Sequence, residues 1–336
     1  MRSAMNEQTP LVLVAGSANL DFVVRAPHIP APGETVLGGA FQTFAGGKGA
    51  NQAVACARAG GVATHMLLAL GDDAFATPIE ASLHSAGVIL HTVHPAGVAT
   101  GSAFVCVDDR GENAITVAPG ANACLKPSDL PELQGFSHLL MQLEIPLQTV
   151  HAYARAAKAA GLRVALNAAP AQTLPKDLLA AVDVLVVNEG ELRTLSGIQG
   201  SVAECLAQLP CPTVVVTLGA RGCVAREGDA YCLQAGFAVH AVDTTGAGDT
   251  FCGALVAALA QAMPLADALR RASAAAALAC TTMGAQSSVP TRQAVSDFLT
   301  HHSNQTDASA IEALRQFAGL DSHQRVTAAF PGHSPL

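Results

Sequence analysis

The 336-residue chain has no long hydrophobic run, although half of its residues are hydrophobic. Leu11–Ala15 and Val184–Val187 have the length of strands, and the longest apolar helical run, around Gly253–Met263, contains Gln261 and ends at Pro264. A helix that spans a bilayer needs about 20 consecutive apolar residues. The sequence therefore predicts a protein that does not cross a membrane.

Paired cysteines and a secretory signal are missing as well. The nine cysteines are odd in number and contain no CxxC pair, which disfavours both a disulfide framework and a zinc site. Asn6, Glu7 and Gln8 precede an apolar run that is too short for the hydrophobic part of a signal peptide. Both observations favour a cytoplasmic protein whose thiols are small core residues.

Basic clusters are also absent. The chain has 18 Lys and Arg against 26 Asp and Glu, for a net charge of −8, and no basic run is longer than two residues. Binding to nucleic acid by counterion release needs a cluster of Lys and Arg. The sequence therefore predicts no nucleic-acid partner.

Short β-branched runs alternate with Ala- and Leu-rich segments along most of the chain. This alternation predicts an α/β fold with a mainly parallel sheet flanked by helices. The predicted buried strands are Val12–Ala15, Met66–Ala69, Leu139–Gln142, Val164–Asn167, Val184–Val187 and Val214–Thr217. The predicted helices between them are Gly49–Ala59, Pro78–Ala86, Leu147–Ala160 and Ser201–Gln208.

Two segments, about 21–44 and 100–117, contain short strands without helices. The second is typical of a hairpin with a polar turn at residues 108–111. Together they predict a small antiparallel sheet beside the main domain, which is either an edge hairpin or a lid. Residues 301–336 form a polar tail, weakly helical over Ala310–Phe317, whose role the sequence does not indicate.

The most informative segment joins a predicted strand, Phe237–Val242, to a predicted helix, Thr250–Met263. Between them lies the turn Gly246-Ala247-Gly248. A turn of small residues at a helix N-terminus presents free backbone N–H groups and the positive end of the helix dipole. Such a turn attracts phosphate.

Asp249, directly after this turn, has two interpretations. It is a helix cap that complements the dipole, or it is a base that takes a proton from an attacking hydroxyl. A dinucleotide-binding fingerprint is excluded because Phe251 stands where that pattern requires glycine. A Walker A loop is excluded because the glycine five residues before Gly47 and the Ser or Thr after Lys48 are both missing.

A second glycine-rich turn precedes an alanine-rich helix at residues 44–60. Lys48 and Asn51 lie three residues apart and face the same way, so they offer donors to hydroxyl groups, although a solvated lysine at a helix start gives the same pattern. Asn19 and Asp21, two apart at a strand end, also share a face and suit a vicinal diol. Both residue types are equally ordinary in turns.

The segments "AGGKGANQA" (45–53) and "DTTGAGDTFCGALV" (243–256) resemble the two signatures of the PfkB, or ribokinase-like, carbohydrate kinases. The resemblance runs from about Leu11 to Leu299 and includes "GSANLD", "PAPGETVLG", "LNAAPA", "VVNEGE" and "VTLGARG". It implies a three-layer ribokinase-like kinase domain over residues 11–300, with the two lid segments inserted into it.

The resemblance also implies roles for individual residues. The sugar would be bound by Asn19, Asp21, Gly46, Gly47, Lys48, Asn51, Glu144 and Asp249, and covered by Ala103 and Ile115 of the lid. Asp249 would be the catalytic base, and Gly246, Ala247 and Gly248 the anion hole. ATP would be bound by Asn188, Thr217, Leu218, Gly219, Ala220, Arg221, Gly222, Gly248 and Ser273.

Two ions and a second subunit follow from the same resemblance. Glu191 would belong to the magnesium network. A potassium ion would be held by Asp243, Thr245, Ala279, Thr282, Gly284 and Ser288. The lid sheets would pair two chains into a homodimer.

The implied reaction is ATP-dependent phosphorylation of D-ribose at O5, giving D-ribose 5-phosphate and ADP. The alternatives within the family are 2-deoxyribose, fructose, adenosine or pseudouridine as the acceptor. A non-catalytic sugar-binding regulator is a third hypothesis, which the intact Asp249 and its glycine turn disfavour.

Overall fold

A computed structural model of the protein describes residues 10–302, 308–321 and 323–328. The N-terminal residues Asn6, Glu7 and Gln8 lie outside this range, and so does the prediction made on them. Part of the polar tail after residue 301 lies outside it as well.

The described residues form fourteen strands. They are Leu11–Ala15 (β1), Asn19–Arg25 (β2), Phe41–Gly46 (β3), Ala63–Ala69 (β4), Ile89–Val93 (β5), Gly101–Val107 (β6), Asn113–Ala118 (β7), His138–Met141 (β8), Arg163–Asn167 (β9), Val184–Asn188 (β10), Thr213–Thr217 (β11), Gly222–Glu227 (β12), Ala230–Ala235 (β13) and Val326–Ala328 (β14). The six predicted buried strands correspond to β1, β4, β8, β9, β10 and β11.

The described residues also form ten α-helices. They are Lys48–Ala55 (α1), Ala76–Ser85 (α2), Leu147–Ala159 (α3), Lys176–Ala181 (α4), Glu189–Ser196 (α5), Val202–Ala207 (α6), Ala247–Ala260 (α7), Leu265–Ala279 (α8), Arg292–His301 (α9) and Ala308–Ala318 (α10). A π-helical turn, Cys56–Gly60, continues α1, so the helix predicted over Gly49–Ala59 is present with a wider last turn.

Ten strands form one central sheet in the order β14-β13-β12-β11-β10-β9-β8-β1-β4-β5. Of these ten, β12 runs opposite to the others, since its pairs with β11 and β13 are antiparallel and the remaining pairs are parallel. Strands such as β10 and β11 are continuous runs of valine and leucine because helices bury both faces of the sheet. The carboxyl ends of β1 and β8–β11 therefore meet at one edge of the sheet.

A second sheet has the order β3-β2-β6-β7, and we call it the lid sheet. Its outer pairs, β2–β3 and β6–β7, are antiparallel as predicted, and a parallel pair, β2–β6, joins them. The whole of β7 is exposed, and the aromatic rings of Phe22, Phe41 and Phe104 stack on one face. Phe41 and Phe104 remain 61% and 54% exposed, which leaves an apolar surface on the lid sheet.

The central helix α7 lies against α1, and two glycines permit their close approach. A Cβ on Gly253 would come within 2.5 Å of the Gln52 carbonyl oxygen, and one on Gly60 within 2.1 Å of the Ala257 Cβ. Residues 249–259 of α7 are all buried, which explains why this helix is apolar on every side. The first turns of α1 and α7 are thereby brought together.

The strand predicted over Phe237–Val242 is wrong. This segment is a loop, in which the N–H groups of Val242 and Asp243 donate to the Cys280 carbonyl at the end of α8. The Phe237 ring packs against Phe298 of α9, with 5.3 Å between the ring centroids. Phe237 thus packs against a helix, whereas Val242 is 56% exposed, so the alternation of apolar residues here does not indicate a strand.

The helix expected over Ala310–Phe317 is α10, and β14 beyond it adds an edge strand beside β13. Leu314, Ala318 and Leu320 are buried in the same apolar cluster as Val216 and Leu233 of the main sheet. This part of the tail is therefore packed on the domain. No helix in the described part of the chain is long and apolar enough to cross a membrane.

Candidate active site

Polar residues, some of them singled out from the sequence, gather at the carboxyl edge of the central sheet. Ser17 follows β1, Glu144 follows β8, and Asn167, Asn188 and Thr217 are the last residues of β9, β10 and β11. Parallel strands place their carboxyl ends side by side, and ligands of open α/β sheets bind in the crevice outside that edge.

Two glycines with positive φ begin the helices that meet at this edge. Gly47 precedes α1 with φ 87°, and Gly246 precedes α7 with φ 72°. A Cβ on Gly47 would lie 2.8 Å from the Ala18 Cα, and one on Gly246 would lie 3.0 Å from the Ala285 Cα. Both turns therefore require glycine for backbone conformation and for space.

Asp249 lies in the first turn of α7 and is 8% exposed. Its Oδ2 accepts a hydrogen bond from Asn51 Nδ2 at 2.9 Å, and its Oδ1 accepts one from Gln52 Nε2 at 2.9 Å. Both donors belong to α1, so the carboxylate is held by the neighbouring helix. Gly246 precedes α7, and no side chain caps this helix. Asp249 is therefore not the cap that the sequence left as one interpretation.

The charged groups around Asp249 include more carboxylates than cations. Burial raises the pKa of Asp249, while the Lys48 ammonium and the amides of Asn51 and Gln52 act in the opposite direction. Burial alone lowers the pKa of Lys48, but the carboxylates of Asp249 and of its neighbours raise it above its ordinary value. Lys48 therefore stays charged and favours an ionised Asp249.

Asp21 and Glu144 complete the polar wall on the lid side. Glu144 Oε2 accepts from Ser17 Oγ at 2.6 Å and from the Lys48 backbone N–H at 3.0 Å. Burial, with the carboxylates of Glu144 and Asp249, raises the pKa of Asp21 to about 7. A Cβ on Gly46 would lie 2.1 Å from Asp21 Oδ2, so glycine makes room for this carboxylate.

Asn19 is 3% exposed, and its Oδ1 accepts from Asn122 Nδ2 at 2.8 Å. Asn122 is itself fixed, because its Oδ1 accepts from the Ala18 N–H at 3.0 Å. A side chain on Gly101 would come within 2.2 Å of Asn122 Nδ2. With its oxygen occupied, Asn19 has its amide N–H groups left to donate.

A cavity of about 160 Å³ opens between the two glycine turns. It is lined by Lys48, Asn167, Ala169, Val186, Val187, Asn188, Glu191, Thr217, Gly246, Gly248, Asp249 and Cys252. Asn188 caps α5 by accepting from the Glu191 N–H, and Glu191 Oε2 accepts from the Asn188 N–H, each at 2.8 Å. Burial raises the pKa of Glu191, opposed by that backbone N–H.

The residues after Thr217 lie beside this cavity, which Thr217 itself lines. Leu218 is buried, and Gly219, Ala220 and Arg221 form a short 3₁₀ turn that exposes all three residues. Gly222 follows with φ 107°, where a Cβ would lie 2.0 Å from the Gln234 carbonyl oxygen.

Ala103, Ile115 and Ser273 are among the predicted residues that do not line this cavity. Ala103 is buried in β6 directly beside Asp21, whereas Ile115 on β7 is 58% exposed. Ser273 of α8 is 9% exposed, and its Oγ lies 3.8 Å from Cys223 Sγ behind the start of β12. Neither Ile115 nor Ser273 lines the cavity.

Two of the residues expected to bind potassium, Thr245 and Gly284, contact the Asp243 carboxylate. Its Oδ1 accepts from the Thr245 N–H and its Oδ2 from the Gly284 N–H, each at 2.9 Å. Burial raises the pKa of Asp243, but these N–H groups, with Arg25, hold it below its ordinary value. Ala279 accepts from the Thr282 N–H at 3.2 Å, and Ser288 Oγ, buried, donates to Ala285. The ionised carboxylate joins the loop before α7 to the loop after α8.

Four functional neighbours were missed by sequence reasoning: Gln52, Asn122, Gln142 and Asn167. Gln52 and Asn167 lie inside segments that were quoted for the resemblance, but only the groups expected to touch substrate were taken from them. Gln142 and Asn167 stand at the ends of strands β8 and β9, a position that indicates the site edge once the sheet is parallel. Their partners lie far away in sequence, so their contacts needed the fold.

Known proteins resemble this chain over most of its length. The sequence model of the pfkB family carbohydrate kinases matches residues 9–292. The ribokinase of Haemophilus influenzae is 40% identical over 303 residues, covering 86% of this chain and 98% of the relative. The deoxyribokinase of Salmonella typhi is 33% identical over 301 residues, again covering 86% of this chain and 98% of the relative.

Solved structures agree with these relatives. The structure of Arabidopsis thaliana ribokinase complexed with ribose and ATP matches with a TM-score of 0.79 at 35% identity, covering 87% of this chain and 98% of that one. The ribokinase-like fold and the family resemblance inferred from the two signatures are thereby confirmed. The chain belongs to the pfkB family of carbohydrate kinases.

Proposed function

We propose that the protein transfers the γ-phosphoryl group of ATP to O5 of D-ribose, giving D-ribose 5-phosphate and ADP. The observation that carries the proposal is the position of Asp249. Its buried carboxylate lies where the two glycine turns meet. Amides from α1 donate hydrogen bonds to it, and Asp249 itself belongs to the first turn of α7. A sugar hydroxyl on one side and a phosphate on the other can both reach this point.

The sugar subsite is proposed between α1 and the lid sheet. Asn51 Oδ1 is buried without a hydrogen-bond partner, which is costly unless a ligand hydroxyl donates to it. Asn19, Asp21 and Lys48 bring further polar groups towards the same space, with the backbone of Gly46 and Gly47 beside them. Ala103 and Ile115 cover the sugar when the lid sheet closes, and closure keeps water from the phosphoryl group.

Asp249 acts as the general base. It accepts the proton of the O5 hydroxyl as O5 forms its bond to the γ-phosphorus and the bond from that phosphorus to the β–γ bridging oxygen breaks. The N–H groups at the start of α7, over Gly246, Ala247 and Gly248, stabilise the negative charge on the transferred group. ADP leaves with the electron pair of the broken bond.

ATP lies in the groove formed by Asn188, the segment 217–222 and Gly248, with Ser273 behind it. Mg²⁺ commonly binds through one or two carboxylates together with substrate phosphates and several waters. The described residues contain no cluster of three or more metal-ligating side chains. Two carboxylates, of Glu191 and Asp249, line the cavity, and Glu191 has one oxygen tied to the backbone. That arrangement fits an ion carried mainly by the nucleotide, whose chemistry is to neutralise phosphate charge.

Potassium is the proposed activating ion. Asp243, Ser288 and the carbonyl groups of Thr245, Ala279, Thr282 and Gly284 are hard oxygen donors, the chemistry that an alkali cation requires. The Asp243 carboxylate ties the two loops concerned to each other. An ion at this place would fix the loop that enters the anion hole.

The proposal extends to assembly and location. Two chains pair through their lid sheets, which is supported by the exposed apolar side chains of Phe41, Phe104 and Ile115. The nine cysteines are all free thiols, which supports a reducing compartment such as the cytoplasm. The kinase domain is proposed to span residues 11–300.

The named alternative is a kinase of 2-deoxyribose, favoured by the similarity to a deoxyribokinase. Purified protein is assayed with ribose, 2-deoxyribose, fructose and adenosine, with and without potassium. We expect the highest kcat/KM with ribose, because a 2-deoxy sugar leaves a buried polar partner such as Asp21 unpaired. A higher value with 2-deoxyribose would reject ribose as the substrate, and no turnover with any acceptor would favour the regulator.

A further inference from the structure

Behind Asp249 lies a chain of three amide side chains that the proposed mechanism does not use. Gln52, fully buried, donates from Nε2 to Asp249 Oδ1 at 2.9 Å and to Asn167 Oδ1 at 3.0 Å. Its Oε1 accepts from Gln142 Nε2 at 2.6 Å. Asn167 Nδ2 in turn donates to the Val186 carbonyl at 3.1 Å. Every polar atom of the Gln52 side chain is therefore bonded inside the protein.

These contacts permit one orientation of the Gln52 amide. Two acceptor oxygens, from Asp249 and Asn167, face its nitrogen, and a donor from Gln142 faces its oxygen. Turning the amide over would place oxygen against a carboxylate and nitrogen against an N–H group. The three amides come from α1 and from the ends of β8 and β9, so the sheet edge itself fixes the chain of hydrogen bonds.

Gly16 shows how tightly the far end of this chain is enclosed. A Cβ at that position would lie 1.9 Å from Gln142 Oε1. Gln142 is fully buried, so it is held between β1 and Gln52. A rigid donor at the end of a chain anchored in the sheet is suited to orienting the group that it meets.

We propose that Gln52, backed by Gln142 and Asn167, is a positioning residue that fixes the carboxylate plane of Asp249 for proton transfer from the substrate hydroxyl. The inference rests on the proposed role of Asp249 as the base. Asn51 holds Oδ2 and Gln52 holds Oδ1, so each oxygen is fixed from the α1 side. A productive hydrogen bond from the hydroxyl needs such an orientation, since proton transfer depends on geometry first.

The same donor favours the ionised form of the base. Asp249 is surrounded by Lys48 on α1, Glu144 after β8, Asp21 on β2, Glu191 on α5 and Cys252 on α7. Burial and the carboxylates favour a protonated Asp249, whereas Lys48, Asn51 and Gln52 favour the anion. Loss of the Gln52 donor therefore raises the pKa of Asp249.

The test replaces Gln52 by Met, which has a similar length and volume but donates no hydrogen bond. We expect the acid limb of the pH dependence of kcat to move to higher pH by about one unit, since a hydrogen bond to a charged group has that magnitude. At neutral pH kcat falls about tenfold or more, while KM for ribose changes less. Gln52→Glu keeps the shape and directs a carboxyl group at Asp249, so the shift is larger.

Thr149→Val is the matched control. Thr149 is fully buried on α3, and its Oγ1 donates to the Leu125 carbonyl at 2.8 Å, so this variant also removes one buried hydrogen bond. It should lower the melting temperature without moving the pH profile. If Gln52→Met behaves like Thr149→Val in both measurements, Gln52 is only structural and the proposal is overturned.

If Gln52→Met fails to fold, a second variant still tests the positioning role. Gln142→Met removes a donor one bond further from Asp249, and it should give a shift in the same direction but smaller; an unchanged profile would overturn the proposal. Asp249→Asn distinguishes a failure of the proposed base from a failure of the proposed positioning role. Full activity of that variant refutes the base and the positioning role together, whereas an inactive Asp249→Asn beside an unshifted Gln52→Met refutes only the positioning role.

Discussion

The two glycine turns begin their helices in similar ways but lie in different surroundings. Gly47 and Gly246 both have positive φ, and neither glycine has a side chain that could cap its helix. At α1 the first N–H groups are already taken, because Lys48 donates to Glu144 and Gly49 donates to Ser17. At α7 the Ala247 N–H donates to the Thr244 carbonyl at 3.2 Å, but the start is more open: Gly246 and Ala247 are half-buried and Gly248 is exposed.

This difference matches two kinds of ligand. A neutral polyol has no charge to attract it, so its site needs enclosed side-chain donors and acceptors in fixed positions. An anion such as the ATP phosphates is attracted by free N–H groups and by the helix dipole, which act on an open surface. A similar local turn thus serves two roles, and the groups packed around it determine which one.

The largest expected effect comes from Asp249, where the two turns meet. Asp249→Asn removes the base but keeps the shape, so kcat should fall about a thousandfold, a usual contribution of general base catalysis. Ribose affinity should change little, because Asn51 and Asp21 remain. Turnover assays and calorimetric titration with ribose measure both quantities. Retained turnover would show that another group takes the proton.

A pair of variants tests the comparison directly. Gly47→Ala places a methyl group against Ala18 and the Asn19 backbone, and Gly246→Ala places one against Ala285. We expect the first to raise KM for ribose about tenfold or more and the second to raise KM for ATP similarly, while each costs about 1–2 kcal/mol of stability. Steady-state kinetics with each substrate varied in turn measures the split. If both variants raise both KM values equally, the two turns do not have separate ligands.

Asp21, in the proposed sugar subsite, predicts how the stability of the fold depends on pH. Its pKa of about 7 in the folded protein lies above the unfolded value of 3.8. The folded state therefore binds more protons between these values, and stability falls as pH rises from about 4 to 7. Asp21→Asn should raise the melting temperature at pH 8 by roughly 2–4 °C, the shift that 1 kcal/mol gives.

The same variant should show no comparable gain at pH 4, where Asp21 is protonated in the folded state and close to its midpoint in the unfolded state. Thermal unfolding without ligands, measured at both pH values, checks this. A difference in melting temperature that does not depend on pH would contradict the raised pKa.

The smallest effect is expected on the proposed ATP side of the site, at the segment 217–222. The Arg221 guanidinium lies over the Phe317 ring, 4.2 Å from its centroid, which connects α10 to the segment 217–222. Such a contact contributes about 0.5–1 kcal/mol at an exposed site. Phe317→Ala should raise KM for ATP two- to fourfold and leave KM for ribose unchanged, and Phe317→Leu should be intermediate. Equal changes in both KM values would indicate a general loss of packing.

Local patterns sufficed for much of the fold. The runs around β10 and β11 are valine-rich because both faces are buried, so composition alone predicted strands there. The segment Phe237–Val242 was predicted wrongly because the Phe237 ring packs against α9 and not against a neighbouring strand. Short apolar runs do not distinguish these two kinds of burial.

By itself the sequence determined the glycine turn before Asp249, the type of fold and the family, since each depends on residue types at short spacing. Only the tertiary structure decided which groups hold the Asp249 carboxylate. Its partners Asn51 and Gln52 lie nearly 200 residues away along the chain. They reach it because Gly60 and Gly253 let α1 and α7 pack closely. The supporting amides Gln142 and Asn167 come from strands that only sheet pairing brings together. Contacts between distant segments depend on packing, which no local pattern encodes.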